Sequence, residues 1–94
     1  MTDKNRDISW TFLTNHSHVL LCLAEDSAMR MRDIAQEVGI TERAVQRIIS
    51  DLVVGQYIER VREGRRNTYK INTHMHLRHP IEHDTTIKEL IDLI

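Results

Sequence analysis

Hydrophobic positions recur at helical spacing through the first half of this chain, at every second residue beyond Gln56, and at helical spacing again from Ile87 to Ile94. The run Val19–Ala24 is nearly continuous, as in a helix buried on more than one side. Asn15 is the expected N-cap of that helix, which ends near Ala24, and Glu25–Ala28 reads as a turn. Met29–Met31 is too short to read by period and is expected as a short strand. Ile34, Ala35 and Val38 then mark a brief helix over Arg32–Val38, and Gly39 supplies a residue able to leave it in the left-handed conformation. Thr41 is a favoured N-cap, with Glu42 in the first turn, where the helix dipole favours an anion. Val45, Ile48, Ile49 and Leu52 recur at i, i+3, i+4 and i+7, so Thr41–Val54 reads as an amphipathic helix stopped by Gly55. Residues 57–62 and 67–71 are β-prone runs separated by Glu63-Gly64-Arg65-Arg66, which predicts a hairpin.

The polar side of the 41–54 helix carries the chemistry. At about 100° per residue, Arg43, Gln46, Arg47 and Ser50 share the face opposite the apolar stripe. Arginine suits guanine and glutamine suits adenine in the major groove. A solvated helix face would also be polar, so this stripe alone is not decisive. Its context is: a short helix, a glycine turn and a second helix form the helix-turn-helix pattern, whose second helix enters the major groove. Thr41, Arg62, Arg65, Arg66 and Asn67 are then expected on the DNA backbone, because a hairpin after such a unit lays its basic tip along phosphates.

Composition narrows the class. The chain has 94 residues, 40% hydrophobic and 29% charged, which fits one small globular domain. Its net charge of −1 argues against indiscriminate binding to polyanions. Residues 43–70 hold seven Arg or Lys against three Asp or Glu, a balance of +4, and so the remainder carries −5. A basic face on an acidic body is the footprint of a selective DNA reader. The single Cys22 excludes an internal disulfide and reads as a small core residue. No apolar run is long enough to cross a bilayer and no charged-then-apolar leader is legible, so a cytoplasmic protein with no membrane partner is expected.

The order helix, DIAQEVGITERAVQRIISDL, then IERVREGRRNTYKI resembles the winged-helix DNA-binding domain of MarR- and ArsR-type bacterial transcriptional regulators, over about residues 15–72. The resemblance implies a mainly α (α+β) fold, a winged helix-turn-helix with a three-helix core and a C-terminal β-hairpin wing. A short C-terminal helix follows from the tail's own pattern. It implies a recognition helix at 41–54, a wing at 57–71, double-stranded DNA as partner, a homodimer, and often a small-molecule or metal effector. The paired-cysteine metal motif of some members is absent.

Residues 1–72 are therefore expected as the DNA-binding domain with an arm at 1–14, polar and unordered over Met1–Asp7. Residues 73–94 form an extended segment and a dimerising helix. Asn72–Thr85 has no clear period and is expected to lie extended on the surface. Its His74, His76, His79 and His83 are metal-ligand types, but Pro80 interrupts them and no Cys or carboxylate spacing accompanies them, so no metal or other cofactor is expected. Thr86 and Glu89 form a capping-box signature. The stripe Ile87, Leu90, Ile91 and Ile94 is too short to persist alone and is assigned to a dimer interface, with the first helix and the Trp10–Phe12 segment. Trp10 and Phe12 could instead line an effector pocket, though no convergent polar groups are visible beside them in the sequence. No Walker loop, G-x-S-x-G, C-x-x-C or H-E-x-x-H occurs, so an enzyme is not expected. The competing function is a winged helix that docks on protein, which would favour apolar residues where this chain places Arg43, Gln46, Arg47 and Arg65. Single-strand binding would call for stacking aromatics, and only Tyr57 and Tyr69 are near.

Overall fold

In a computed structural model, residues 8–94 are described; the Met1–Asp7 stretch lies outside them. The element order is α1 (Asn15–Glu25), α2 (Met31–Val38), α3 (Glu42–Val54), β1 (Ile58–Glu63), β2 (Arg66–Ile71) and α4 (Ile87–Leu93). This is the winged-helix arrangement with a short terminal helix. The core gathers Val19, Leu20 and Leu23 of α1, Ile34 and Ala35 of α2, and Val45, Ile48, Ile49 and Leu52 of α3. Those of α2 and α3 come from the apolar stripes that their helical period predicts, and those of α1 from its nearly continuous apolar run.

The helix ends differ in instructive ways. Thr14, not Asn15, is the N-cap of α1, since its extended backbone leaves its carbonyl to accept from the His18 N–H, and Asn15 is already helical. Gly39 takes φ 87° after α2, and the Ile40 N–H reaches back to the Ala35 carbonyl. Thr41 caps α3 by accepting from the Ala44 N–H at 3.0 Å. Gly55 follows α3 as expected but stays right-handed, with φ −76°. It is Gln56 that turns left-handed, at φ 67°. Its N–H bonds the Val53 carbonyl and the Tyr57 N–H bonds the Leu52 carbonyl, a Schellman closure with glutamine at the usual glycine position. The need for glycine at 55 is space. A Cβ there would meet the Tyr57 ring at 3.1 Å and the Asp51 carbonyl at 3.2 Å.

The hairpin pairs Ile58 with Ile71 through Glu63 with Arg66, leaving Gly64 and Arg65 as a two-residue loop. Gly64 takes φ 63° at the first loop position, where type II′ turns demand it. Met29–Met31 is not a strand. Asp26 folds the chain there, accepting from the Ala28 N–H with its carboxylate and from the Met29 N–H with its carbonyl, and Met31 already opens α2. The contact to the hairpin edge is made earlier instead, where the Ser27 carbonyl accepts from the Tyr69 N–H at 3.1 Å.

Residues 72–86 do not run extended. They form a closed loop joined by an antiparallel bridge between His76 and Thr86, with N–H bonds from Leu77 to Thr85 and from Ile87 to Met75. The buried Tyr57 donates its hydroxyl to the His76 carbonyl at 2.7 Å, so the loop is fastened beneath the start of β1. The capping box of α4 is complete: Thr86 accepts from the Glu89 N–H, and the Glu89 carboxylate accepts from the Thr86 N–H. The stripe beyond it corrects the expected interface. Ile87 and Leu90 are buried in the chain's own core, because a seven-residue helix persists only by docking and the nearest apolar surface is its own domain. Ile91 packs at the core's edge, and Leu93 and Ile94 remain exposed.

Candidate nucleic-acid interface

α3 turns its polar face to solvent. Arg43, Gln46, Arg47 and Ser50 are all exposed. None makes a side-chain hydrogen bond or ion pair within the described residues, so their donors and acceptors are open to a ligand. The apolar side of the same helix is fixed in the core, which sets the direction of the polar side without further contacts. Val54, 79% exposed, falls on this face one turn beyond Ser50, a position that the apolar stripe did not bring forward. The Thr41 hydroxyl is used in capping α3. Asp51, at the edge of the face, is held 2.9 Å from His16 Nε2, which ties the start of α1 to α3.

The five basic side chains of the hairpin occupy different situations. Arg65 stands at the tip, exposed and without an intramolecular partner among the described residues. Arg62 donates from Nε to the Gly64 carbonyl at 3.2 Å, which braces the tip. Arg66 points back to the body instead: its Nη2 donates to the Ala28 carbonyl at 2.8 Å and pins the hairpin to the α1–α2 turn. Arg60, which the sequence reading passed over, lies 5.8 Å above the Tyr69 ring. Lys70 faces Glu59 across the strands, as Arg66 faces Glu63. Opposite charges on directly paired residues stabilise a hairpin. Asn67 is exposed opposite Arg62.

The α3 helix itself is charge-balanced, with Glu42 and Asp51 against Arg43 and Arg47, whereas residues 57–71 carry five basic and two acidic side chains. The electrostatic attraction for a polyanion thus comes from the hairpin. A face of open hydrogen-bonding groups beside a basic hairpin can read a duplex edge while the hairpin neutralises phosphate charge.

A family model described as winged helix-turn-helix DNA-binding matches residues 13–59, half of the chain. The chain belongs to that family. The match spans α1, α2 and α3 and ends as β1 begins, so the hairpin tip lies outside it. Membership makes the protein a DNA-binding regulator in broad terms and places it in a non-enzymatic family type. No curated protein matches the chain.

Three histidines of the tail loop engage Nδ1 locally, while His74 is exposed and makes no side-chain hydrogen bond among the described residues. His76 Nδ1 bonds the His83 carbonyl, His83 Nδ1 bonds the Pro80 carbonyl, and His79 Nδ1 accepts from the Ile81 N–H. Among the described residues no three His, Cys, Asp or Glu side chains are grouped to hold a metal ion. No helix of the described residues is long and apolar enough to cross a membrane.

Proposed function

We propose that this winged-helix protein reads specific double-stranded DNA sequences and regulates transcription in the cytoplasm, after the fashion of MarR- and ArsR-type regulators. In this reading α3 enters the major groove, with Arg43, Gln46, Arg47 and Ser50 at base edges. Thr41, Arg62, Arg65 and Asn67 meet the backbone. Arg66 contributes charge from the base of the wing, with one donor already engaged. The observation that carries the proposal is the set of four open polar side chains on one rigid, core-anchored helix face. A protein-docking face would expose apolar groups across it, whereas on α3 Val54 alone is an exposed large apolar residue.

One reading helix and one wing span too little duplex to select a site among ~10⁶ or more genomic positions. We therefore propose a two-fold homodimer reading half-sites about 34–36 Å apart. The tail surface left for it is Ile94 with Leu93 and the edge of Ile91. The test is selection of duplexes from fragmented genomic DNA by the purified protein. Recovery of a two-fold related motif supports the proposal, and recovery of sequences with no shared motif contradicts it.

A further inference from the structure

Val54 breaks the division of α3 into a buried apolar side and an open polar side. Val45, Ile48, Ile49 and Leu52 are buried and Val53 packs at the core's edge, whereas Val54 is 79% exposed. At about 100° per residue, Arg43, Arg47, Ser50 and Val54 fall within a stripe about 60° wide. Its middle lies opposite the four buried residues, and Gln46 stands beside it. The core anchorage that directs the polar residues outward therefore directs this valine too. Its backbone is held as well, because the Gly55 N–H bonds the Asp51 carbonyl and the Tyr57 N–H bonds the Leu52 carbonyl around it.

A single exposed valine is ordinary on a protein surface. The neighbours of this one give it meaning. No carboxylate falls within the stripe: Glu42 and Asp51 flank it on opposite sides, and Asp51 is held by His16. A groove lined by phosphates can thus approach the stripe along its whole length. Base edges in the major groove are hydrogen-bond donors and acceptors, apart from the C5-methyl of thymine, which a methylated cytosine also carries. Valine set against a donor or acceptor would strip its water and return nothing. Set against a methyl group, it removes apolar surface from water on both partners.

We propose that Val54 reads a pyrimidine C5-methyl group, that of thymine, and that α3 lies along the major groove instead of entering it by the first turn alone. The proposal rests on the DNA-reading function proposed above and adds an apolar contact to its four polar ones. Val54 stands about 16 Å along the helix from Arg43 and about 10 Å from Arg47. The second distance is about three base steps of ~3.4 Å. The thymine is thus placed about three base pairs from the pair that Arg47 reads.

The experiment replaces each thymine of the selected duplex in turn by deoxyuridine, which lacks only the methyl group. Anisotropy then compares the full-length wild type with Val54→Ser. Wild type should lose about fourfold at one thymine, the value of moving one methyl group out of water. Val54→Ser, at an exposed position, should keep its circular dichroism. It should bind the thymine duplex as weakly as wild type binds the deoxyuridine one, and be indifferent to the replacement. At the same position 5-methylcytosine should exceed cytosine by a similar factor. Wild type that prefers 5-methylcytosine to thymine overturns thymine as the group read. Absence of any methyl-sensitive thymine, or a methyl effect that survives in Val54→Ser, overturns the contact while the selected duplex is still distinguished from a shuffled one. Wild type that binds selected and shuffled duplexes alike overturns the DNA reading itself, and the Val54 contact with it.

Discussion

Gln56 and Arg66 show how single side chains depart from what their types suggest. A non-glycine residue held left-handed costs about 1–2 kcal/mol, and Gln56 is so held to close α3. Gln56→Gly should therefore stabilise the fold, by about 1 kcal/mol once the looser unfolded chain is counted. Urea unfolding should show a higher midpoint with unchanged slope. Arg65 and Arg66 are adjacent and look equivalent in the sequence, yet only Arg66 is bonded to the body. Arg66→Ala should lower stability by about 0.5–1 kcal/mol, whereas Arg65→Ala should leave the unfolding midpoint unchanged. Equal midpoints for both variants would mean that the Ala28 bond contributes nothing. Glycines punctuated the sequence correctly at 39 and 55, but residue type cannot tell a demand for left-handed backbone from a demand for space. The Tyr57 ring that crowds Gly55 is known only from the fold.

Among the elements, α4 is the most dependent on its cap. Its seven residues hold through the Thr86–Glu89 box and the docking of Ile87 and Leu90. Thr86→Ala should cost about 1 kcal/mol and raise amide exchange across 87–93 first. The Glu89 carboxyl is held below its ordinary value chiefly by the Thr86 backbone N–H, then by the Thr86 hydroxyl, with His76 nearby adding to the effect and desolvation opposing it. A depressed carboxylate contributes fully above its ordinary pKa and loses that contribution as pH falls through the lower, folded value. The Thr86 amide resonance should accordingly move only in acid, below the range where free glutamates titrate. Movement at the ordinary glutamate value would show the box unformed. The three amphipathic stretches and the capping box were legible because their partners lie three or four residues away. The loop at 72–86 was not, because its fastening runs from Tyr57 to His76, 19 residues apart, and period carries no record of such a bond.

For the whole molecule, the division of charge governs the proposed mode of action: a neutral reading helix selects, and a basic wing attracts. The sequence displayed the polar face of α3 as a stripe, since the buried stripe on α3 dictates what faces outward. It could not show that α4 spends Ile87 and Leu90 on its own domain, because an apolar stripe does not name its partner. Leu90→Asp would now be expected to unfold the chain rather than divide a dimer. Leu93→Asp with Ile94→Asp, both at exposed positions, should instead give a folded monomer in sedimentation equilibrium if wild type is dimeric through the tail. A double variant that remains dimeric places the interface elsewhere.

The most direct measurement compares wild type, Arg47→Ala and Arg65→Ala by anisotropy on the selected duplex and on a shuffled one, across a salt series. Arg47→Ala should lose on the order of 1–3 kcal/mol on the selected duplex and far less on the shuffled one. Arg65→Ala should weaken both alike and flatten the salt dependence by about 0.9 log–log units for its lost phosphate contact. Wild type that binds both duplexes equally, or an Arg47→Ala loss of the same size on each, would contradict a reading role for α3.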